Sequence, residues 1–173
     1  MKTQTVLVFN CGSTSIKFAL YAWTNADTTE LLLRGSLDTS VTPPVFHGSD
    51  SVGNPLPAFN REIEAEYHDS KQFVLKVLEA LGNQFPKHAL HAVAHRVVHG
   101  GAKRCNAEVV NDALLGELIQ LAPLAPLHQE ANVAPIVAIR HAYPELTQIA
   151  CFDTAFHCHL PATMQLTSLP RRY

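Results

Sequence analysis

The most constraining feature of the sequence is a pair of short apolar runs on either side of a polar turn near the N-terminus. Residues 5–9 form a β-rich apolar run that ends at Asn10-Cys11-Gly12-Ser13, and apolar runs bounded by turn residues are typical of buried strands. In residues 16–23, apolar side chains recur at every second position, which is the period of a strand. The pattern therefore predicts a β-hairpin over residues 5–23 with the polar turn at its tip.

Periodicity and turn residues predict the remaining elements. Residues 31–37 favour a third strand, whereas the Pro- and Gly-rich residues 38–68 show no clear period and are interpreted as a loop with short strands at most. The sequence then predicts, in chain order, a helix from Asp69 or Ser70 to Leu81 that stops at Gly82, a strand over 92–98, a helix capped by Asn111 that ends at Leu121, a helix over 131–141 and a strand over 148–152. Pro135 lies inside the last helix, so it either occupies the first turn or kinks the helix. This order indicates an α/β domain with a mixed sheet.

Composition and charge narrow the class of protein. The 173 residues are 47% hydrophobic and 16% charged, which is typical of a soluble globular domain with one sizeable core. The formal net charge is −2 without any basic run, so we expect neither nucleic acid nor an anionic membrane as a partner. The first apolar run is too short for a signal peptide or a membrane span. We therefore expect a cytoplasmic protein whose four cysteines, which form no C-x-x-C pair, are reduced thiols.

The polar turn of the hairpin is the first candidate site. It reads Asn10-Cys11-Gly12-Ser13-Thr14-Ser15-Ile16-Lys17. Gly12 lets the main chain approach a ligand closely because it has no Cβ, and the hydroxyl groups, main-chain N–H groups and Lys17 suit a phosphate and its metal ion. The spacing is not that of a Walker A loop, and a strand rather than a helix follows. The residues alone leave a phosphate site and an ordinary polar turn equally open.

The second candidate is His95-Arg96-Val97-Val98-His99-Gly100-Gly101. The two β-branched residues favour a strand, on which His95, Val97 and His99 share one face and Arg96 and Val98 the other. An Arg side chain can hold a carboxylate or phosphate through two hydrogen bonds, and a neighbouring Val can shelter a small alkyl group. A surface ion pair of Arg96 is the alternative. A zinc pair of His95 and His99 is not expected, since no Glu lies between them.

Two further candidates are Asp153 and His128. Asp153 follows a predicted buried strand, where ligands bind in open α/β sheets, so it is either a metal anchor or substrate-orienting carboxylate, or simply the cap of the next helix. His128 follows the rigid Ala125-Pro126-Leu127 turn and could donate a hydrogen bond to developing negative charge. A structural role for His128 is the competing interpretation.

Together these segments resemble the acetate kinase family. The resemblance rests on four motifs in the family's order: Asn10 to Lys17, His95 to Gly101, Ala125 to His128, and Phe152-Asp153-Thr154-Ala155-Phe156-His157. It covers nearly the whole chain and is weakest in residues 38–68. It implies a ribonuclease-H-like, actin-like ATPase domain of the acetate and sugar kinase type, with residues 1–173 as its N-terminal domain.

The resemblance also implies a reaction, the reversible transfer of a phosphoryl group from ATP to acetate with Mg²⁺ or Mn²⁺, in an enzyme that is typically a homodimer. The implied roles are metal binding by Asn10, phosphate binding by Gly12, Ser13, Ser15 and Lys17, acetate binding by Arg96, Val98 and Leu127, and catalysis by Asp153 and His128. A carboxylate acceptor is already ionised near neutral pH. It needs cations, rather than a strong base, to approach a second anion.

The sequence departs from the family pattern in three respects. Thr14 stands where Ser is common, and Ala102 follows Gly101 where an acidic residue is usual. The family also continues beyond the segment that matches residues 1–173, with a further His motif, a catalytic Arg, adenosine-binding loops and a second metal-binding acid. We therefore expect this chain to carry half of an active site and to have negligible turnover alone.

Three alternatives remain. Propionate and butyrate kinases share the scaffold, and the pocket around Val98 and Leu127 would decide among the acids, although one methylene discriminates by only about 1–3 kcal/mol. A non-catalytic fragment or partner-binding module is a second possibility, against which the presence of Asn10, Arg96 and Asp153 argues. A purely structural α/β domain would require four accidental motif matches.

Overall fold

The computed structural model describes residues 4–12, 15–25, 28–38, 40–41, 43–62, 70–84 and 89–165. Its strands are β1 (Gln4–Cys11), β2 (Ser15–Asn25), β3 (Thr28–Asp38), β4 (Val45–Asp50), β5 (Arg61–Glu62), β6 (Ala89–Val97), β7 (Glu108–Val109) and β8 (Thr147–Phe152). Its α-helices are α1 (Ser70–Gln84), α2 (Asp112–Gln120), α3 (Gln129–Ala142) and α4 (Ala162–Gln165). Short 3-10 helices cover Pro57–Phe59, Ala122–Leu124 and Asp153–His157.

The eight strands form one mixed sheet in the order β5-β4-β3-β2-β1-β6-β8-β7. The central strands β1, β6 and β8 are parallel, and the other neighbours pair antiparallel. The predicted hairpin is confirmed, since β1 and β2 pair from Gln4–Trp23 to Cys11–Ile16. The predicted α/β class with a mixed sheet is also confirmed.

The three long helices pack against the same face of the sheet. In β1 the side chains of Thr5, Leu7, Phe9 and Cys11 are buried and alternate with half-exposed ones. One core cluster joins this face to α1 and α3, and a second joins the β6 and β8 ends to α2 and α3. The other face of β1 and β6 carries Asn10 and Arg96 near the strand ends, with no described helix packed over them.

The structure corrects the predicted end of the first helix, and it adds detail to two interpretations left open, those of residues 38–68 and of Pro135. Residues 38–68 include β4, which forms six residue pairs with β3. Its period is hidden because an inward position is Gly48, where a Cβ would lie 2.4 Å from Phe59 Cβ. Helix α1 does not stop at Gly82 but continues to Gln84, since Gly82 lacks the positive φ of a helix-ending glycine. Pro135 lies well beyond the first turn of α3, so its missing N–H leaves the carbonyl of Ala131 without its helical donor.

The predictions for the start of α2 and for the residue after β8 are confirmed. Asn111 caps α2, and its side chain accepts a hydrogen bond from the Leu114 N–H at 2.8 Å. The chain passes from the buried β8 directly to Asp153. None of the helices within the described residues is both long and apolar enough to span a membrane.

The expectation of four reduced thiols is wrong for two of them. Cys105 and Cys158 form a disulfide with a Cα–Cα distance of 5.4 Å. The loop after β6 and the turn after β8 bring them together, although they are 53 residues apart in sequence. Cys11 and Cys151 are free, and burial raises the pKa of the Cys11 thiol to about 12.

Candidate functional site

Three side chains meet where the parallel strands β1, β6 and β8 end. Asn10 is the penultimate residue of β1, Arg96 the penultimate residue of β6, and Asp153 follows β8 directly. The carboxyl ends of parallel strands lie along one edge of a sheet, where α/β proteins bind ligands. The sheet order places β6 between β1 and β8. Arg96 is therefore positioned between the other two side chains.

Arg96 bonds to both neighbours. Its Nε donates to the two carboxylate oxygens of Asp153 at 3.0 and 3.1 Å, and its second terminal nitrogen donates to Asp153 Oδ2 at 2.7 Å. Its first terminal nitrogen donates to Asn10 Oδ1 at 3.1 Å. The bonds join residues 57 and 86 positions apart in sequence. The sheet topology thus assembles residues from three of the four predicted segments.

The ion pair is open to solvent. The side chains of Arg96 and Asp153 are 50% and 39% exposed, and hydrogen bonding to Asp153 raises the pKa of the Arg96 guanidinium. Exposed pairs of this kind typically stabilise a fold by about 0–1 kcal/mol. The surface ion pair considered for Arg96 therefore exists, and its partner is itself a predicted site residue. A carboxylate ligand at Arg96 would compete with Asp153 for the same donors.

The hairpin turn lies beside this cluster. The Gly12 N–H donates to the Ser15 carbonyl at 2.8 Å, which closes the turn. Lys17 is the cross-strand partner of Asn10, and its side chain is exposed. Ser13 lies outside the described residues. Lys17 thus adds a second positive charge on the neighbouring strand, near enough in register to serve the same ligand.

The loop after β6 packs on the turn after β8. The Gly100 N–H donates to Thr154 Oγ1 at 3.0 Å, and a Cβ on Gly100 would lie 2.5 Å from Phe152 Cγ. Val98 lies just beyond the end of β6, half-buried, and its N–H donates to Asn132 Oδ1 at 2.9 Å. His95 and Val97 point into the core while Arg96 is exposed, as the alternation predicts.

Within the described residues, no hydrogen bond joins Leu127 or His128 to the Asn10–Arg96–Asp153 cluster. His128 is the N-cap residue of α3 and makes no capping bond through its side chain. Leu127 is 77% exposed. Both side chains are therefore exposed at the start of α3. Asp153 is the first residue of the following 3-10 helix, and the N-cap position belongs to Phe152.

The sequence interpretation missed the buried amide side chains behind the site. Gln129 and Asn132 are 0% and 4% exposed, and Gln148 is hydrogen bonded to His95 at 2.9 Å in the core. Burial lowers the pKa of His95 to about 4. A sequence signal existed, since Gln129, Asn132 and Gln148 occupy inward positions of otherwise apolar patterns, where polar groups require partners.

The site is an open edge of the sheet. Among the cavities of the described residues, one of about 650 Å³ lies at the opposite ends of the strands, where Thr5, Leu81 and Tyr143 contribute to its lining. Another of about 510 Å³ lies beside the disulfide and includes His99 and His157. Neither includes Asn10, Arg96 or Asp153. The exposed fractions of Arg96 and Asp153 show that this edge is open to solvent.

Comparison with known proteins identifies the family of the chain. A model described as the acetokinase family matches residues 5–173. The chain belongs to the acetokinase family. It is 41% identical over 175 residues to an acetate kinase of Rhodopseudomonas palustris and 32% identical over 168 residues to a propionate kinase of an Enterobacter species.

Solved structures agree with this assignment. The fold matches that of Porphyromonas gingivalis acetate kinase with a TM-score of 0.78 at 27% identity, and that of a Francisella tularensis propionate kinase with a TM-score of 0.75 at 29% identity. Each match covers 98% of this chain and 42% of the other. The chain likewise spans 42% of the length of the Rhodopseudomonas enzyme and 39% of the Enterobacter enzyme. The predicted fold and the family resemblance of the N-terminal portion are confirmed.

Proposed function

We propose that this chain supplies the N-terminal domain, residues 1–173, of a kinase that transfers a phosphoryl group between ATP and acetate. The observation that supports this most directly is the Asn10–Arg96–Asp153 cluster at the ends of three parallel strands. The family match and the acetate kinases among the relatives give the reaction class. Phosphoryl transfer requires mainly positioning and charge stabilisation, which such a cluster can provide.

Each residue has a proposed task in this reaction. Arg96 holds the acetate carboxylate through its guanidinium fork, with Val98 and Leu127 against the methyl group. Gly12, Ser13, Ser15 and Lys17 line the path of the ATP phosphates. Asp153 orients the acceptor, and His128 donates a hydrogen bond to the transferring phosphoryl group. The open position of His128 at the start of α3 leaves its ring available for a ligand.

A magnesium ion fits this cluster in donor type. Within the described residues no group of three or more His, Cys, Asp or Glu side chains is arranged to hold a metal. Asn10 Oδ1 and the Asp153 carboxylate are nevertheless oxygen donors that meet at Arg96, and Mg²⁺ commonly binds one or two such groups while phosphates and water complete its shell. When bound, the ion would neutralise charge on the ATP phosphates. Asn10 would be its ligand from this domain.

The test is acyl-phosphate formation from acetate and Mg-ATP, trapped with hydroxylamine. The protein expressed from its complete coding sequence is compared with its Asp153→Asn and Lys76→Ala variants. Lys76 lies on the exposed side of α1, where it pairs with Glu79. We expect Asp153→Asn to lose at least about 100-fold in kcat, because oriented groups of this kind contribute on that scale, and Lys76→Ala to match the parent protein. Hydroxamate formation that survives Asp153→Asn would overturn the assigned role.

Residues 1–173 alone provide a second test. We expect no hydroxamate above the background of an Asp153→Asn sample, because a kinase site must be enclosed to exclude water and the cluster lies on an open edge. Turnover by residues 1–173 would contradict the half-site proposal. The complete enzyme is proposed to be a cytoplasmic homodimer.

Propionate is the alternative acceptor, favoured by the propionate kinases among the relatives. The ratio of kcat/KM for acetate and propionate decides between them. We propose acetate preference, and a larger kcat/KM for propionate would reverse it. Val98→Ala should move the ratio toward propionate by about 10-fold, since it makes room for one methylene.

A further inference from the structure

We propose that Asn132 is a positioning residue that fixes the separation between the ends of β1 and β6, and hence between Asn10 and Arg96. Asn132 lies in α3, is 4% exposed and is absent from the motifs that the sequence presents. Its relevance to phosphoryl transfer rests on the proposed function. Its structural action rests on its own hydrogen bonds.

Asn132 bonds to the main chain of two candidate segments. Its Oδ1 accepts from the Val98 N–H at 2.9 Å, and its Nδ2 donates to the Cys11 carbonyl. Its own N–H donates to the His128 carbonyl at 3.0 Å. One buried side chain therefore lies between the residue after Asn10 and a residue just beyond Arg96. It is also one helical turn from His128.

The location explains why a side chain is needed there. The parallel pairing of β1 with β6 runs from Gln4–Ala89 to Phe9–His95 and then ends. Beyond that pair the two strands have no paired residues, although both carry residues of the candidate site. Beyond the last residue pair of β1 and β6, the side-chain amide of Asn132 joins the two main chains through hydrogen bonds. It offers an acceptor to an N–H on one side and a donor to a carbonyl on the other.

A neighbouring amide strengthens the same support. Gln129 is fully buried, and its Nε2 donates to the carbonyls of His99 at 3.0 Å and Leu118 at 3.1 Å. The start of α3 thus binds the loop after β6 at both Val98 and His99. Because these partners are main-chain groups, the arrangement restrains the path of the chain itself. Small displacements there would change the distance between Asn10 and Arg96.

Substitutions of Asn132 separate its two bonds. Asn132→Leu has a similar volume and lacks both bonds, whereas Asn132→Asp keeps an acceptor for the Val98 N–H and lacks the donor to Cys11. Asn111→Ala is the matched control, because it removes one amide hydrogen bond, the cap of α2, without touching the site. Its thermal unfolding calibrates how much activity is lost through destabilisation alone.

The kinetic readout uses the protein expressed from its complete coding sequence. Asn132→Leu should lower kcat about 100-fold, since misplacement by roughly 1 Å has effects of that size. The KM for acetate should stay within about threefold, because Arg96 keeps its strand. Asn132→Asp should fall between Leu and the parent, and Asn111→Ala should match the parent. A kcat for Asn132→Leu within threefold of the parent overturns the proposal.

Hydrogen exchange gives a readout that does not need activity. The Val98 amide should exchange at least about tenfold faster in Asn132→Leu than in the parent, Asn132→Asp or Asn111→Ala, because only the Leu variant leaves this N–H without its acceptor. If the parent phosphorylates no carboxylate, the proposed function fails, and this exchange measurement still decides the structural action of Asn132. Unchanged Val98 protection in Asn132→Leu overturns the inference.

Discussion

At the scale of single residues, the side chains of the candidate site can be predicted from the sequence, but the hydrogen bonds between them cannot. Asn10, Arg96 and Asp153 stand out because their types and neighbours suit anions and metals. Their mutual bonds depend on which strands become neighbours, and the sequence separations of 57 and 86 residues carry no local signal. The same limit applies to Asn132, whose partners are main-chain groups of Cys11 and Val98.

Burial of His95 makes the stability of the fold depend on pH. Its imidazole lies in the core, is hydrogen bonded to Gln148 and has its pKa lowered to about 4 by burial. In the unfolded chain the pKa returns toward 6.5. The unfolded state therefore binds more protons in this window, so stability falls as pH decreases from about 6.5 toward 4.

We predict that lowering the pH from 7 to 5 reduces the free energy of unfolding by about 2 kcal/mol through His95 alone. Urea unfolding at both pH values measures the loss in the parent and in His95→Gln, which keeps a polar partner for Gln148 but does not titrate. All other groups titrate in both proteins, so the difference between the two pH dependences isolates His95. Equal slopes in the two proteins would contradict the prediction.

At the scale of elements, most of the fold is predictable from sequence periodicity. The β1–β2 hairpin, α1, the capped α2 and β8 arise from local patterns that agree with their final environments. The sequence does not identify β4 as a definite strand, because one of its buried positions is Gly48. The side chain of Phe59 packs against that glycine. The predicted end of α1 is wrong because a glycine such as Gly82 can either end a helix or lie within it. Only tertiary structure decides whether the helix ends there or continues.

Substituting alanine for glycine is predicted to raise the free energy of unfolding at Gly82 and to lower it at Gly35. A Cβ at Gly82 meets nothing within 4 Å, so Gly82→Ala should stabilise the protein by about 0.5–1 kcal/mol through helix propensity. A Cβ at Gly35 in β3 would lie 2.4 Å from Phe18 Cζ and 2.6 Å from the His47 carbonyl. Gly35→Ala should therefore destabilise by about 1–3 kcal/mol through overpacking.

Urea unfolding of both variants beside the parent measures these changes. Phe18 packs against the rings of Phe46, Phe59 and Phe73, so the Gly35 clash should spread through this cluster. Fluorescence alone would miss a local change there, and circular dichroism should be followed as well. A stable Gly35→Ala variant would mean that Phe18 moves aside at little cost, contrary to the close packing of this face.

At the scale of the whole molecule, the structure has the fold of its family's solved members and places the candidate site at an open edge of the sheet. The sheet topology, with three parallel central strands flanked by antiparallel ones, explains why four separated motifs resemble one family so specifically. Three of the motifs lie at the C-terminal ends of the central strands, and the fourth lies at the start of α3, which packs behind these strand ends. The sequence does not predict the Cys105–Cys158 disulfide, which links the segments after β6 and β8, because the spacing of the cysteines does not indicate which of them pair.

The Cys105–Cys158 disulfide leads to a prediction about the entire chain. It closes a loop of 53 residues that includes α2, α3 and β8, and such a bond restricts the unfolded ensemble by about 4 kcal/mol in the chain-entropy model, of which proteins commonly realise about 2–4. Cys105→Ser should lower the free energy of unfolding by that amount in the absence of reductant. A dithiol reductant should cause the same loss in the parent, because it reduces the disulfide to two thiols and is itself oxidised to a disulfide. It should leave the stability of Cys105→Ser unchanged.

Cys151→Ser is the control for this experiment, because Cys151 is a free, exposed thiol on β8. It should unfold like the parent with and without reductant. Intact-mass measurement of the purified parent should show the loss of two hydrogen atoms relative to the reduced chain. A fully reduced mass together with equal stabilities would favour the original expectation of free thiols. A bonded parent that loses stability on reduction would mean that the exits of β6 and β8, and with them Arg96 and Asp153, are held together covalently as well as by hydrogen bonds.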